Sequence, residues 1–430
     1  MRHHTWMDAL YAMKKHFLNP CLAALALVLS MGAHAQKRDD AVFAAAQAAQ
    51  PAVIDTLQQL VLIESGSANI GGIARVADFA QARLKALGAH TERIKSSNSE
   101  RVMVKGVFKG KGRFKAMLIA HMDTVYPDGI LATQPYKLDG NRLYGPGIAD
   151  DKGGIAVILH SLAVLQSQGW NDFATLTVLF NPDEEIGSAG SGTLIQSLAA
   201  EHDVVLSYEP TAAKSVAKVE GVLLAAAGVG EARMEVKGKA SHAGAAPEEG
   251  RNALIELSHQ MLATENIAKA IPGAQLSWTY AQGGRVHNQI PETAVATADV
   301  RLLKPDAAEQ LKTALLAKVQ ESKRVPDTHV HVQLEVGRPP YVAGERGLAL
   351  AQRARAIYAE LDGRALYFHP VTGGGTDAGF ASASGKAAVL ESLGLAGWGF
   401  HARDEYIEID SIVPRLYLTA RLLQDLGKAH

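Results

Sequence analysis

The chain has little cysteine and no excess of either charge. A single cysteine, Cys21, occurs among its 430 residues, so no disulfide can form within the chain. Lys and Arg together number 43 and Asp and Glu number 44, which gives a net charge of −1 at pH 7. A nucleic-acid-binding protein needs a basic surface that neutralises phosphates. We therefore expect no nucleic-acid partner.

Long hydrophobic runs are also missing, apart from one near the N-terminus. The apolar stretch 21–31 is well short of the roughly 20 residues that span a bilayer. Lys14 and Lys15 precede it and the triplet Ala-His-Ala at 33–35 follows it, which is the pattern of a secretory signal peptide. We therefore expect residues 1–35 to be removed, with Met13 an equally acceptable start, and the mature protein to be periplasmic or secreted and free of the membrane.

Cys21 would leave with this leader, so the mature chain would hold no thiolate ligand or thiol nucleophile. Any metal site must then use histidine and carboxylate side chains, which suits zinc or a harder ion. Hydrophobic residues make up 47% of the chain and charged residues 20%. This is enough apolar material for two or three packed domains.

Most of the chain alternates between two kinds of pattern. Short apolar segments bounded by turn or polar residues predict buried strands, and apolar residues recurring three and four apart predict helices. Strands alternating with helices indicate an α/β domain with a mostly parallel sheet. The predicted strands are 102–108, 116–121, 175–181, 203–208 and 387–392, and the predicted helices are 72–87, 152–168 and 410–426.

The middle of the chain has a different character. Ala232, Met234 and Val236 alternate with charged residues, which is typical of a strand with one solvated face. A helix, two further alternating strands, a second helix and a last strand follow, so the order is β-α-β-β-α-β. We therefore predict a ferredoxin-like α+β domain at 228–336, inserted into a discontinuous α/β catalytic domain formed by 41–227 and 337–430.

Metal-binding residue types follow the predicted strands. His121 ends one strand, and Asp123 lies two residues later on the same side of the extended chain, where it can support a ligating imidazole. Glu184 and Glu185 belong to a run of three acids after the strand 175–181. A cation would relieve their repulsion, with one carboxylate as a ligand and its neighbour as a base.

Three further residues complete the pattern. Glu209 follows the strand 203–208, His401 lies beyond the strand 387–392, and Asp150 lies in a glycine-rich loop directly before a helix. Each signal alone fits ordinary surface polarity, a solvated acidic turn or a helix cap. Together they place ligands at the carboxyl edge of one sheet, where open α/β sheets bind their ligands.

Several longer motifs make the interpretation more specific. They read G-P-G-I-A-D-D-K-G-G, K-A-S-H-A-G-A-A-P, G-G-G-T-D-A and E-S-L-G-L. With the strand-end residues they resemble the zinc-dependent aminoacylase and carboxypeptidase family of metallopeptidases, most of all the bacterial glutamate carboxypeptidases of the folate-hydrolysing type. The resemblance covers nearly all of the chain after the leader. It implies two co-catalytic zinc ions per subunit, with the metal's identity open, and a lid domain that also forms a homodimer.

The resemblance also implies a ligand set and a non-proline cis peptide bond between Asp150 and the residue after it. Asp150 would bridge the two ions, His121 and Glu209 would complete one of them, and Glu185 and His401 would complete the other.

The same resemblance assigns the catalytic residues. Glu184 would be the general base and acid, and Asp123 would orient His121. His242 would be the lid histidine that contacts the developing oxyanion, either in its own subunit or in a partner.

Substrate recognition is expected to involve carboxylate-binding groups. By resemblance, Arg301 would bind a substrate carboxylate, Asn288 would contact substrate, and Gly375 would line the pocket. Arg338 and Lys218 are weaker candidates that could equally be surface charges.

The implied function is metal-dependent exopeptidase cleavage of the amide bond to a C-terminal glutamate in small N-acyl-glutamates such as folates. An aminoacylase, a dipeptidase or a desuccinylase would use the same metal pair. An exported amino-acid or peptide binding protein that kept the fold is the non-enzyme alternative, although the intact Glu184 speaks against it.

Overall fold

The computed structural model describes residues 37–429. The predicted signal peptide 1–35, with Cys21, lies outside the described residues. Among the helices of residues 37–429, none combines the length and the apolar character needed to cross a membrane.

Helices and strands alternate over most of residues 37–429. The helices are α1 Asp40–Val61, α2 Ile70–Ala86, α3 Lys152–Ser167, α4 Gly192–Ala199, α5 Lys214–Ala217, α6 Ala253–Thr264, α7 Ala307–Glu321, α8 Gly344–Ala359, α9 Ala378–Ser382 and α10 Ile412–Ala429. The strands are β1 His90–Lys95, β2 Val102–Lys109, β3 Lys115–His121, β4 Lys137–Asp139, β5 Arg142–Tyr144, β6 Thr175–Asn181, β7 Val204–Ser207, β8 Thr211–Ala212, β9 Gly221–Leu223, β10 Ala225–Ala226, β11 Gly228–Lys237, β12 Ser241–His242, β13 Ala274–Gly283, β14 Gln289–Ile290, β15 Thr293–Leu302, β16 His329–Arg338, β17 Tyr341–Val342, β18 Tyr367–His369, β19 Ala388–Leu390, β20 Ala396–Trp398 and β21 Tyr406–Glu408.

A six-stranded sheet in the order β1-β2-β6-β3-β7-β19 forms the centre of the larger α/β layer. Strands β6, β3, β7 and β19 are parallel, while β1 and β2 join one edge in antiparallel fashion. One face packs against α1, α2, α3, α8 and α10, and the other packs against α4 and α9. Because both faces are covered, β3 is apolar from 116 to 120 and β7 from 204 to 206. The predicted α/β layer is confirmed.

The inserted segment has a sheet and a core of its own. Its sheet is fully antiparallel with the order β13-β15-β11-β16, and α6 and α7 cover one face. The predicted β-α-β-β-α-β order is confirmed, and the last strand continues to Arg338, beyond the expected end at 336. The assignment of this segment as a separate lid domain stays a prediction.

No helix in the described part of the chain covers the other face of the inserted sheet. Met234 and Val236 point into the core, whereas Glu231 is exposed and pairs with Asp299 across β11 and β15. A bulge between Trp278 and Tyr280 shifts the register of β13, and Tyr280 is 50% exposed although it continues the alternation of the core residues. Because Glu231 and Asp299 are paired across β11 and β15, they lie side by side on this solvated face.

A second small sheet was not anticipated from the sequence. Its order is β4-β5-β21-β20-β8, and its strands are only two or three residues long. The pairing of β5 with β21 brings the chain after Tyr144 next to the chain before Tyr406. This sheet therefore places the glycine-rich loop at 145–150 beside the segment that contains His401.

Candidate metal centre

His121 lies at the end of β3, with its ring between two aspartates. Its Nδ1 is 3.0 Å from the carbonyl oxygen of Asp123 and 3.4 Å from that residue's Oδ1. Its Nε2 is 2.9 Å from Asp150 Oδ1 and 3.7 Å from Glu209 Oε1. The ring is 1% exposed. The predicted ligands of the first ion are thus together around one buried nitrogen.

His401 provides the other half of the arrangement. Its Nε2 is 3.4 Å from Asp150 Oδ2 and 3.2 Å from Glu185 Oε2. The two carboxylate oxygens of Asp150 therefore face two different histidines, which is the geometry required of a bridging ligand. The peptide bond between Asp150 and Asp151 is cis, as the resemblance implied.

The origin of these ligands differs in one respect from the sequence prediction. His121, Glu185 and Glu209 do come from the carboxyl ends of β3, β6 and β7. His401 instead follows β20 of the small sheet, which intervenes between it and β19. The expectation that a fourth strand of the main sheet delivers this histidine is wrong, because the strand 388–390 ends well before it.

The electrostatics of the cluster favour a cation. Burial alone would raise the pKa of Asp150, but its hydrogen bonds to His121 and His401 hold that pKa below its ordinary value. Burial raises the pKa of Glu209 well above its usual range, and burial together with the charge of Asp150 raises that of Glu185. Crowded carboxylates in a site of low dielectric repel one another, and a divalent ion relieves that repulsion.

The side chains present fit a pair of divalent ions. Two overlapping groups of three, which share His121 and do not include His401, have ligand atoms that all lie within 4.8 Å of one another, namely His121, Glu184 and Glu209, and His121, Asp150 and Glu185. Glu185 Oε1 is buried and has no hydrogen-bond partner among residues 37–429. Such an atom is costly unless something binds it. The donor set of imidazole and carboxylate suits zinc or a harder ion.

Asp123 does more than the predicted orientation of His121. Its Oδ1 accepts a hydrogen bond from the backbone N–H of Glu184 at 3.0 Å. Its Oδ2 accepts from the N–H of Glu185 at 3.2 Å and from the hydroxyl of Ser67 at 2.7 Å. Asp123 therefore fixes the turn that carries both glutamates, while its carbonyl oxygen is its nearest contact with the His121 ring.

Glu184 is buried at the edge of the cluster and is paired with Arg338. Arg338 Nη1 donates to Glu184 Oε1 at 2.5 Å. Its Nη2 donates to the carbonyl oxygen of Glu184 and also, at 3.2 Å, to Oγ of Ser188. Burial raises the pKa of Glu184 to about 8, although Arg338 and His121 oppose the rise. Arg338 is 5% exposed, so the alternative that it is a surface charge is wrong.

A cleft of about 1330 Å³ opens over the cluster. The metal-site residues line one side, and the helix-free face of the inserted sheet lines the other. Arg301 lies on that face, where its Nε and Nη2 each donate to an Asp299 carboxylate oxygen at 2.9 Å. Its Nη1 lies 3.4 Å from the carbonyl oxygen of Gly373. Arg301 is thus held in the cleft, as its predicted role requires.

Gly375 also lines the cleft. A Cβ at this position would lie 2.9 Å from Arg338 Cδ and 3.0 Å from Val229 Cγ2. A side chain there would displace the arginine that contacts Glu184, so the position requires glycine.

Three predicted residues lie elsewhere. His242 and Asn288 are exposed neighbours on the inserted segment, joined by the Ala243 N–H, which donates to the Asn288 carbonyl oxygen at 2.9 Å. His242 Nδ1 accepts from the amides of Gly244 and Ala245 at 3.2 and 3.0 Å, which leaves its Nε2 as the donor. Neither residue is among the described residues that line the cleft, and the exposed Lys218 is not among them either.

Glu405 was not predicted to be a site residue, although it lies four residues after His401. Its carboxylate is buried and accepts hydrogen bonds from the backbone N–H groups of Gly147, Ala149 and Asp150. A single acid in a polar stretch gives no signal of such a role, because the contacts join segments that are far apart in sequence.

Comparison with known proteins agrees with this site. Residues 117–425 match the profile of Peptidase family M20/M25/M40. The chain is 46% identical over 410 residues to Carboxypeptidase G2 of Pseudomonas sp. (strain RS-16), an alignment that covers 94% of this chain and 97% of that relative.

Solved structures share the fold. The aminopeptidase PepT from Bacillus cereus ATCC 10987 superimposes with a TM-score of 0.71 at 19% identity and covers 88% of this chain and 98% of its own. The YXEP protein of Bacillus subtilis, described as a dinuclear metal binding peptidase, superimposes with a TM-score of 0.64 at 16% identity and covers 89% of this chain and 100% of its own.

Replacement of Asp150 tests the shared-ligand arrangement. Asp150→Asn removes one charge and turns one oxygen into an amide donor, so one half of the cluster loses its Asp150 ligand and the other keeps only a neutral oxygen. We expect the purified variant to lose most of the metal that the unaltered protein retains after dialysis, as measured by elemental analysis. Asp139→Asn, on an exposed hairpin, serves as the control and should keep the full metal content. Retention of the full metal content by Asp150→Asn would contradict the arrangement.

Proposed function

Because the chain belongs to Peptidase family M20/M25/M40, we propose that it is a metal-dependent exopeptidase that cleaves the amide bond to a C-terminal glutamate in N-acyl-glutamates such as folates. The observation that carries this proposal is the position of Asp150, whose two oxygens face His121 and His401 at the base of a large cleft. Zinc is the proposed metal, since imidazole and carboxylate are its usual ligands in catalytic sites.

The metal pair would be held by His121, Asp150, Glu185, Glu209 and His401. When bound, such a pair polarises a carbonyl oxygen and acidifies a water molecule at neutral pH.

Glu184 moves the proton. Its carboxylate is buried beside the metal ligands, and its pKa of about 8 is near the range in which a group can both accept and return a proton at neutral pH. It takes a proton from the attacking water as the C–O bond forms. It then gives that proton to the leaving nitrogen as the C–N bond breaks. Arg338 holds the Glu184 side chain and its carbonyl oxygen in place during both transfers.

Arg301 binds a carboxylate of the leaving amino acid. Asp299 occupies its Nε and Nη2 edge, so the remaining N–H groups are directed away from that pair. A guanidinium held in this way binds a planar carboxylate with little further loss of side-chain freedom. The 46% identity to a carboxypeptidase supports the same substrate class, because a carboxypeptidase must recognise a free terminal carboxylate.

Replacement of Glu184 separates the enzyme from a binding protein that kept the fold. In Glu184→Gln the amide cannot accept a proton, so we expect kcat to fall by about 10²- to 10⁴-fold while the metal content is largely kept. Glu231→Gln, on the opposite wall of the cleft, is the matched control and should keep its kcat. An unchanged kcat in Glu184→Gln would refute its role in proton transfer.

Comparison of substrates tests the preference for glutamate. We expect 4-aminobenzoyl-glutamate to be hydrolysed faster than its aspartate and alanine analogues, as measured by kcat/KM. Arg301→Ala should raise KM for the glutamate substrate about 10- to 100-fold, since it loses hydrogen bonds to a charged group. Arg285→Ala, in an exposed loop of the inserted segment, is the control. Equal rates on all three substrates would favour an aminoacylase, a dipeptidase or a desuccinylase of the same family.

Export and dimerisation are also part of the proposal. The basic residues, short apolar run and Ala-His-Ala triplet within residues 1–35 support secretion, and the resemblance to lid-containing relatives supports a homodimer formed through the inserted domain. For export, we expect N-terminal sequencing of protein recovered from the periplasm or the medium to begin near residue 36. For dimerisation, we expect light scattering to give twice the mass of one chain. A protein that stays in the cytoplasm with its leader intact would contradict export.

A further inference from the structure

Strand pairing delivers the Glu405 side chain beneath the loop that carries Asp150. Glu405 directly precedes β21, which pairs with β5 so that Tyr406 lies opposite Tyr144. The N–H of Gly145 donates to the Glu405 carbonyl oxygen at 3.2 Å and extends this pairing by one step. The Glu405 side chain, 0% exposed, therefore points into the loop at 145–150.

Each oxygen of the Glu405 carboxylate accepts two hydrogen bonds. Oε1 accepts from the N–H groups of Ala149 at 2.9 Å and Asp150 at 3.0 Å. Oε2 accepts from the N–H of Gly147 at 2.8 Å and from the Tyr126 hydroxyl at 2.7 Å. Hydrogen bonds to an ionised acceptor are about twice as strong as neutral ones. Three of the four donors are backbone N–H groups of the loop, so this one carboxylate fixes the backbone that carries Asp150.

The contact with Tyr126 extends the connection to two other parts of the site. Tyr126 lies three residues after Asp123, and its hydroxyl is also 2.7 Å from the carbonyl oxygen of Ala402, the residue after His401, so its single hydrogen is shared between this oxygen and Glu405. Glu405 and Tyr126 together therefore join the segments that carry Asp123, Asp150 and His401.

Glu405 forms no ion pair with a Lys or Arg among the described residues within salt-bridge distance. A buried carboxylate without a cationic partner is destabilising unless hydrogen bonds compensate. All four of its hydrogen bonds come from the Asp150 loop and from Tyr126, and the charge of the buried Lys152 acts on it without a direct contact, so the carboxylate and the loop hold each other in position.

We propose that Glu405 is a positioning residue of the metal centre, whose carboxylate fixes the Asp150 loop so that the two Asp150 oxygens face His121 and His401. The inference rests on the proposed function in one respect, namely that these residues bind metal. It adds a residue that touches neither metal nor substrate and acts through the backbone of the shared ligand.

Glu405→Gln is the decisive change because it keeps the shape of the side chain. The amide has one acceptor oxygen, and its NH₂ group would face backbone N–H donors, so at least one loop hydrogen bond is lost. We expect the affinity for Zn²⁺ to fall about 10- to 100-fold, the usual effect of removing a partner that orients a metal ligand. Competition with a chromophoric chelator measures it.

Glu408→Gln is the matched control. Glu408 is also buried and also accepts two backbone hydrogen bonds, from Lys214 at 2.9 Å and Ser215 at 3.2 Å, but it contacts no metal ligand. Its replacement should leave the Zn²⁺ affinity unchanged. Visible absorption of the Co²⁺-loaded proteins provides a second readout, since a moved Asp150 changes the coordination geometry in Glu405→Gln and not in Glu408→Gln.

Tyr126→Phe decides the matter if Glu405→Gln does not fold. It removes one of the four donors and should lower Zn²⁺ affinity in the same direction by a smaller factor. Wild-type affinity and an unaltered Co²⁺ spectrum in the folded variants would overturn the role of Glu405 and leave the proposed function intact. Failure of the unaltered protein to bind Zn²⁺ or Co²⁺ would overturn both.

Discussion

The structure depends on the crowding of buried carboxylates around Asp150. Asp150, Glu184, Glu185 and Glu209 meet next to His121 where the protein excludes most of the water, and like charges in such surroundings repel. Only protons or cations can balance them. The rest of the molecule brings these groups to one place: the parallel strands supply three of them, and the small sheet brings the Asp150 loop to His401.

The sequence predicted the main elements because their physical signals are local. Strands β3, β6 and β7 are short, largely apolar and buried segments that end in polar residues, and both faces of the sheet are covered. His121, Glu185 and Glu209 were predicted for the same reason, since each lies at or shortly after such a run. Asp150 and His401 were assigned through the family resemblance. The inserted segment was recognised by its alternating pattern, which reflects one buried and one solvated face.

The remaining features depend on contacts between distant segments. Arg338 is the last residue of β16, and nothing in the neighbouring sequence indicates that it contacts Glu184. Glu405 reaches its hydrogen-bond partners only through the pairing of β5 with β21. Those strands are too short to carry a periodic signal. The outward turn of Tyr280 follows from a bulge that alternation cannot reveal. His242 matched a motif, but it lies on β12, which pairs with β14 in a separate two-stranded sheet, and neither strand is among the described residues that line the cleft.

The central claim is that two metal ions share Asp150. Diffraction from crystals of the metal-loaded protein, with anomalous data collected at the metal's absorption edge, tests it most directly. The account predicts two anomalous peaks on either side of the Asp150 carboxylate, one beside His121 and Glu209 and the other beside Glu185 and His401. A single peak, or peaks away from these side chains, would contradict it.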